Sequence, residues 1–121
     1  MADRMIHISW GAPIAGREER GLEVFNEAVG LYGRMQQEGR IESFDVALLM
    51  PNGSRVEGYM NLHGSAEQLA AVREDDEYMR TMTDASLIVH DLCICDGYTN
   101  EGVAQQMAIY QEAIGRVPQM A

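Results

Sequence analysis

The chain has 121 residues, and its nine basic and nineteen acidic side chains give a formal net charge of -10. This length predicts one domain, residues 1–121, with a buried core to which association would add further burial. The negative charge repels phosphate backbones and anionic headgroups, so neither nucleic acid nor a membrane surface is expected as a partner. No segment approaches the roughly 18 apolar residues of a membrane helix and no signal-peptide core follows the first residues, so we expect a cytoplasmic protein.

The first half of the chain predicts a strand, a long helix and a second strand. Apolar and polar side chains alternate over residues 5–10, and two glycines and a proline then end the strand. Apolar residues recur every three or four positions over residues 17–38, which predicts a helix, and Gly39 stands at the position typical of a C-terminal cap. Alternation returns over residues 41–50 and predicts the second strand.

A turn motif followed by an alternating segment predicts a hairpin in the middle of the chain. The sequence Pro-Asn-Gly at residues 51–53 favours a three-residue loop with a bulge, which would pair Met50 with Ser54 and place Asp45 opposite Tyr59. In this register the apolar faces of the two strands coincide, and so do their polar faces. The polar face of the third strand, residues 55–63, consists of Glu57, Tyr59, Asn61 and His63.

The second half predicts two short helices, a strand and a C-terminal helix. Ser65 and Gln68 form a capping-box pair at the start of the first helix. The acidic run 74–77 indicates a solvated break before the second short helix over residues 77–83. Residues 86–98 are nearly all apolar and predict the last long strand. Asn100 begins a helix with an apolar seam, which consists of Val103, Met107, Tyr110, Ile114 and Val117.

The two cysteines of the chain lie in the last predicted strand. Cys93 and Cys95 would share one strand face about 6.5 to 7 Å apart, which is at the limit of what a disulfide can span. We therefore expect reduced, buried thiols. His90 lies nearby, but a structural zinc site needs four ligands and no other spacing supplies the rest, so no metal site is expected.

This order of elements predicts an α+β protein of the ferredoxin-like type, βαββαβ with a C-terminal helix. The strands would form a four-stranded antiparallel sheet in the order 4-1-3-2, with helices on one face. Over residues 4–115, the element order, the length and the polar sheet face resemble the dimeric α+β barrel superfamily, although no motif identifies one branch of it. The resemblance implies a homodimer in which two open sheet faces pack together and enclose a cavity.

The sheet face away from the helices carries the candidate site. The strand order brings His7, Asp45 and Tyr59 together there as a predicted catalytic acid/base group. The carboxylate would orient the phenol or the imidazole, and His7 or His63 would move a proton on a bound substrate. The alternation pattern of the last strand does not decide on which face of the sheet His90 lies. The predicted substrate-binding residues on this face are Ser9, Asn61, His63 and Asp91.

Two interpretations of function follow from the pattern and the resemblance. In the first, the chain is a small-molecule-binding protein or a cofactor-free enzyme that acts on an oxygenated organic compound by monooxygenase- or isomerase-like proton transfer. In the second, it is a non-catalytic dimer whose sheet face is an interface or a ligand sensor, with its polar groups paired to each other or to water. No cofactor is expected, because haem would need an axial ligand and none of the three histidines stands in a haem motif.

Overall fold

The computed structural model describes residues 2–118 and 120, which form a four-stranded antiparallel sheet with its helices on one face. The sheet order is β2-β3-β1-β4, which confirms the predicted order 4-1-3-2 and the ferredoxin-like α+β fold. The elements are β1 (Arg4–Trp10), α1 (Glu18–Gln37), β2 (Ser43–Leu48), β3 (Gly58–Gly64), α2 (Ala66–Arg73), α3 (Asp76–Ser86), β4 (Cys93–Tyr98) and α4 (Glu101–Gly115).

The core lies between the sheet and the helices. α1 and α2 cover one face of the sheet, and α3 packs against both helices. Because side chains alternate along a strand, every second residue of β1 and β3 points into this layer, and after Arg4 those residues are apolar or glycine. Tyr32 of α1 is fully buried there, and burial raises the pKa of its hydroxyl. The buried residues of the sheet are Ile6, Ile8, Met60 and Leu62.

The helix ends follow the chemistry that the sequence indicated. Ser65 and Gln68 form a reciprocal capping box at the start of α2. Asp75 caps α3 by accepting a hydrogen bond from the Tyr78 backbone N–H at 2.9 Å, and Arg40 donates to the same carboxylate at 2.6 Å. These two interactions lower the pKa of Asp75, the backbone N–H having the larger effect. Gly39 follows α1 with a φ of 74°, a conformation that glycine adopts without strain.

The predicted register of the β2–β3 hairpin is wrong by two residues. Asp45 pairs with Asn61, not Tyr59, and Leu49 N–H donates to the Glu57 carbonyl, so the connection is longer than Pro-Asn-Gly alone. The reason is that residues 50–56 bond among themselves, since Ser54 Oγ accepts from Val56 N–H at 3.2 Å and Asn52 bonds residues on both sides, so more of the chain belongs to the turn. The Asn52 side chain still organises the turn, because its amide bonds the backbone of residues 50 and 54 at 2.8 Å.

The last strand is shorter than predicted and begins at Cys93. The preceding segment instead bonds the loop after β1, as shown by His90 N–H donating to the Ala12 carbonyl at 2.9 Å. His90 itself is exposed. The expectation of buried thiols is wrong, because Cys93 and Cys95 lie on an edge strand and face away from the helices, where both are exposed.

The C-terminal helix α4 touches the rest of the fold mainly near its beginning. Asn100 donates from its amide to the Ala2 carbonyl at 2.7 Å, and Thr99 N–H donates to the Asp3 carbonyl at 3.1 Å. Gly102 is buried against this segment. Apolar side chains farther along α4, such as Met107 and Tyr110, are about half exposed. Across the described part of the chain, no helix combines the length and apolarity needed to cross a membrane.

Candidate functional site

A hydrogen-bonded row of polar side chains crosses three strands on the sheet face away from the helices. His7 Nδ1 lies 2.6 Å from Asn61 Oδ1, and Asn61 Nδ2 lies 3.0 Å from Asp45 Oδ1. At the far end, His63 Nε2 lies 3.0 Å from Asp45 Oδ2. The register explains this row, because Asn61 in β3 is the direct cross-strand partner of both His7 and Asp45. We call His7, Asn61, Asp45 and His63 the polar row.

Asp45 determines the hydrogen-bonding roles of the other members of the polar row. An ionised carboxylate only accepts, so the Asn61 amide must turn its NH2 group toward Asp45 and its oxygen toward His7. His7 Nδ1 must then carry the hydrogen that it donates to this oxygen. In a neutral imidazole the other nitrogen, Nε2, keeps its lone pair and can take up a proton. The hydrogen bonds of the row therefore leave Nε2 as the nitrogen of neutral His7 without a hydrogen.

His63 occupies the other end of the polar row. It faces the row with Nε2, whereas His7 faces the row with Nδ1. Its Nε2 faces the carboxylate and donates to it, so each carboxylate oxygen accepts one hydrogen bond from the row. The Asp45 side chain is 58% exposed and that of His63 is 22% exposed. In the single chain, water therefore still screens this pair.

The remaining predicted site residues fall into three environments. The Tyr59 ring lies 5.5 Å from the His7 ring, and its strand partners are Ser9 and Ala47. Tyr59 is thus a neighbour of His7, but the predicted pairing with Asp45 is wrong. Ser9 is buried between Tyr59 and Cys93. Asp91 precedes β4 with a φ of 55° and lies 4.0 Å from Arg55, so the structure places it outside the polar row.

Two thiols border the polar row. Cys95 is the cross-strand partner of His7, and Cys93 is that of Ser9. Partial desolvation by its neighbours, and then Cys93, raise the pKa of the Cys95 thiol, which keeps it protonated at neutral pH. Among the described residues, no group of three or more His, Cys, Asp or Glu side chains is placed to hold a metal ion.

Sequence reasoning missed an apolar cleft between the helices and the sheet. It has a volume of about 70 Å³ and is bordered by Trp10, Phe25, Met60 and Met82, which the alternation pattern assigns simply to the core. The sequence feature that could have indicated this cleft is Gly21, a glycine inside α1 that lines it. A Cβ placed there would meet only the Ile88 side chain, at 3.9 Å, so the missing side chain leaves room over the cleft.

Solved structures with similar folds share little sequence with this chain. A dimeric ferredoxin-like protein of unknown function from Bacteroides fragilis is 13% identical with a TM-score of 0.58, over 79% of this chain and 96% of that one. A hydroxynitrile lyase from Passiflora edulis is 9% identical with a TM-score of 0.63, over 84% and 97%. A cofactor-independent oxygenase from Streptomyces nogalater is 13% identical with a TM-score of 0.50, over 82% and 93%.

At these identities the likeness shows the fold alone. It confirms the ferredoxin-like fold that the element order predicted. A scan against models of protein families found no match, and a search of curated proteins found none either.

Proposed function

We propose that the chain forms a homodimer whose sheet faces enclose a cavity, and that His7 transfers a proton on a small, partly apolar, oxygenated organic compound bound there. The observation that carries this proposal is the hydrogen-bond chain from Asp45 through Asn61 to His7, which leaves His7 Nε2 as the basic nitrogen. The protein would be a cytoplasmic, cofactor-free enzyme of monooxygenase- or isomerase-like chemistry.

The polar row would provide a base that accepts a proton and a hydrogen bond that stabilises the resulting imidazolium. His7 Nε2 would remove a proton from an acidified C–H or O–H group of the ligand. The imidazolium that forms would keep its hydrogen bond to Asn61 Oδ1, and Asp45 would polarise that amide from its other side. Tyr59 stands beside His7 and would orient the ligand through its ring or hydroxyl. A cofactor-independent oxygenase and a hydroxynitrile lyase have similar folds, so this fold is compatible with enzyme catalysis.

A homodimer would remove the remaining solvent from the polar row. The Asp45 side chain is more than half exposed in the single chain. Electrostatic interactions are stronger where water is excluded, so covering this face would strengthen the hydrogen bonds of the polar row. Leu49, which continues the alternation of Asp45 and Ala47 on the open face, is an exposed apolar residue and also favours association. One of the similar structures is described as dimeric.

The test is exchange of an activated C–H proton of a 1,3-dicarbonyl compound, followed by NMR in D₂O. His7→Gln should lower the enzyme-dependent exchange rate by ~10²-fold or more, since positioned proton-transfer groups contribute roughly 10²–10⁴. His90→Gln is the matched control, because His90 is an exposed histidine outside the polar row. Equal rates for wild type and His7→Gln, or absence of protein-dependent exchange, would contradict the proposal.

The alternative function is a non-catalytic dimer interface or ligand sensor. It is favoured by the fact that each member of the polar row already has a hydrogen-bond partner within the row, as a stable interface requires. In that case His7→Gln and Tyr59→Phe should change the melting temperature or the dimer affinity. The binding of a cavity ligand, measured in the same samples, should stay unchanged.

A further inference from the structure

A second cavity lies between α2 and the edge strand β4 and contains no member of the polar row. Its volume is about 360 Å³, within the range of roughly 300–1,000 Å³ that small-molecule sites occupy. One wall is the apolar surface of α2, formed by Ala66, Leu69 and Ala70. The polar part of the lining consists of two arginines, Arg4 and Arg73, together with Asp96 and Tyr98.

Both guanidinium groups are held in place by neighbouring side chains. Arg73 donates from Nε and Nη2 to the same oxygen, Asp96 Oδ1, at 3.2 Å and 2.7 Å. The Arg4 guanidinium carbon lies 4.8 Å from the centre of the Tyr98 ring, and its Nη1 donates to the Asp3 carbonyl at 3.1 Å. Such fixed groups lose little conformational freedom when a ligand binds, so they favour recognition.

The cavity has more donors than acceptors. A guanidinium carries five N–H groups, and the hydrogen bonds described above use Nη1 of Arg4 and Nε and Nη2 of Arg73. Within the described residues, Nε and Nη2 of Arg4 and Nη1 of Arg73 therefore still offer N–H groups. A carboxylate accepts about four hydrogen bonds and matches the planar fork of arginine.

We propose that this cavity binds a small organic monocarboxylate, with its carboxylate on Arg4 and Arg73 and its apolar body against α2. Asp3 and Asp96 already balance the charges of Arg4 and Arg73. A monocarboxylate would leave one uncompensated negative charge at the cavity and a dianion two, in a protein whose net charge is -10, so the hydrogen bonds to the free N–H groups favour the monoanion. The apolar wall favours a ligand with a hydrocarbon or aromatic body over one as small as formate.

The experiment is an NMR titration of the folded full chain with benzoate and with its neutral analogue benzamide. Benzoate should bind at least about tenfold more tightly, because charge-assisted hydrogen bonds to guanidinium are about twice as strong as neutral ones. Shift changes should centre on Ala66, Leu69 and Gly97, whereas binding at the polar row would move His7 and Asn61. The location therefore separates this site from that of the proposed function.

Four substitutions complete the test. Arg4→Gln and Arg73→Gln should each weaken benzoate binding by about tenfold or more. Arg34→Gln, which alters an exposed arginine paired with Glu77, should leave it within about twofold. Asp96→Asn should tighten binding, because it removes the carboxylate that competes for Arg73.

Equal affinities for benzoate and benzamide would overturn the proposal, and so would the absence of benzoate binding at millimolar concentration. It would also be overturned if Arg34→Gln weakened benzoate binding as much as Arg4→Gln and Arg73→Gln do. If Arg73→Gln does not fold, Arg4→Gln and Asp96→Asn still decide the question. Their predicted effects have opposite signs, so a general loss of stability cannot imitate both.

Discussion

The Asp45 carboxylate determines which way the Asn61 amide faces, because Asn61 Nδ2 lies 3.0 Å from Asp45 Oδ1. This relationship fixes the tautomer of His7 one strand away. Asp45 thus acts on His7 only through Asn61.

Asp45→Asn should release this control over the His7 tautomer. The new amide can donate or accept, so Asn61 can turn over and His7 should show both neutral tautomers in ¹⁵N NMR spectra of its ring nitrogens. The wild type should show hydrogen on Nδ1 alone at pH values where His7 is neutral. Because Asp45 is more than half exposed, the loss of stability should stay below about 1 kcal/mol. Glu57→Gln is the control, and an Nε2–H tautomer in the wild type would refute the assignment.

Asp75 should make stability sensitive to acid. Its folded-state pKa is lowered by the Tyr78 backbone N–H and by Arg40, so its contribution is complete above the unfolded value of about 3.9 and is lost as pH falls further. Asp75→Asn should lower the free energy of unfolding at pH 7, and the difference from wild type should shrink toward pH 3. Urea unfolding at both pH values measures this. The neighbouring Asp76→Asn should not show the same pattern, and a difference independent of pH would contradict the assignment.

Two glycines in helices should respond to alanine in opposite directions. A Cβ at Gly33 in α1 would meet nothing within 4 Å, so Gly33→Ala should stabilise the protein by roughly 0.5–1 kcal/mol through helix propensity. A Cβ at Gly102 in α4 would collide with the Asp3 carbonyl oxygen, so Gly102→Ala should destabilise it by roughly 1–3 kcal/mol. Chemical denaturation of both variants gives the comparison. Stabilisation by Gly102→Ala would mean that α4 does not pack on residue 3.

The proposed homodimer should depend on the sheet face that carries the polar row. Ala47 lies on that face opposite Tyr59, so Ala47→Arg would place a charge in the interface and should produce monomers at micromolar concentration. Leu22→Arg changes an exposed apolar residue of α1 and should leave the dimer intact. Sedimentation equilibrium measures both. A wild-type monomer at micromolar concentration would remove the basis for an enclosed cavity.

Local sequence patterns predicted the faces of the strands better than their pairing. The β2–β3 register differs from the prediction by two residues, and a shift of two leaves every side chain on its predicted face. Asp45, Tyr59 and Asn61 therefore lie on the expected face although Asp45 meets a different partner. The side-chain hydrogen bonds of Asn52 and Ser54 extend the turn beyond residues 51–53, and the Pro-Asn-Gly pattern alone does not indicate them.

The other differences at the site depend on how segments of the chain pack together. Cys93 and Cys95 lie on the open face of β4, which no helix covers, and the apolar composition of this segment does not reveal their exposure. The cavity of Arg4 and Arg73 joins the start of β1 to the end of α2, two segments far apart in the chain. Capping and periodicity act over a few residues, and they placed α1, α2 and the strand order correctly.

The junction between residues 2–3 and the start of α4 has a mechanical consequence. The hydrogen bonds of Thr99 and Asn100, together with the close approach of Gly102, clamp the first described residues to the base of this helix. Fifteen helical residues extend about 22 Å, so a tilt of about 10° at the base moves the far end by about 4 Å. A pull on residue 2 would therefore tilt α4 about its first turn and displace Met107 and Tyr110.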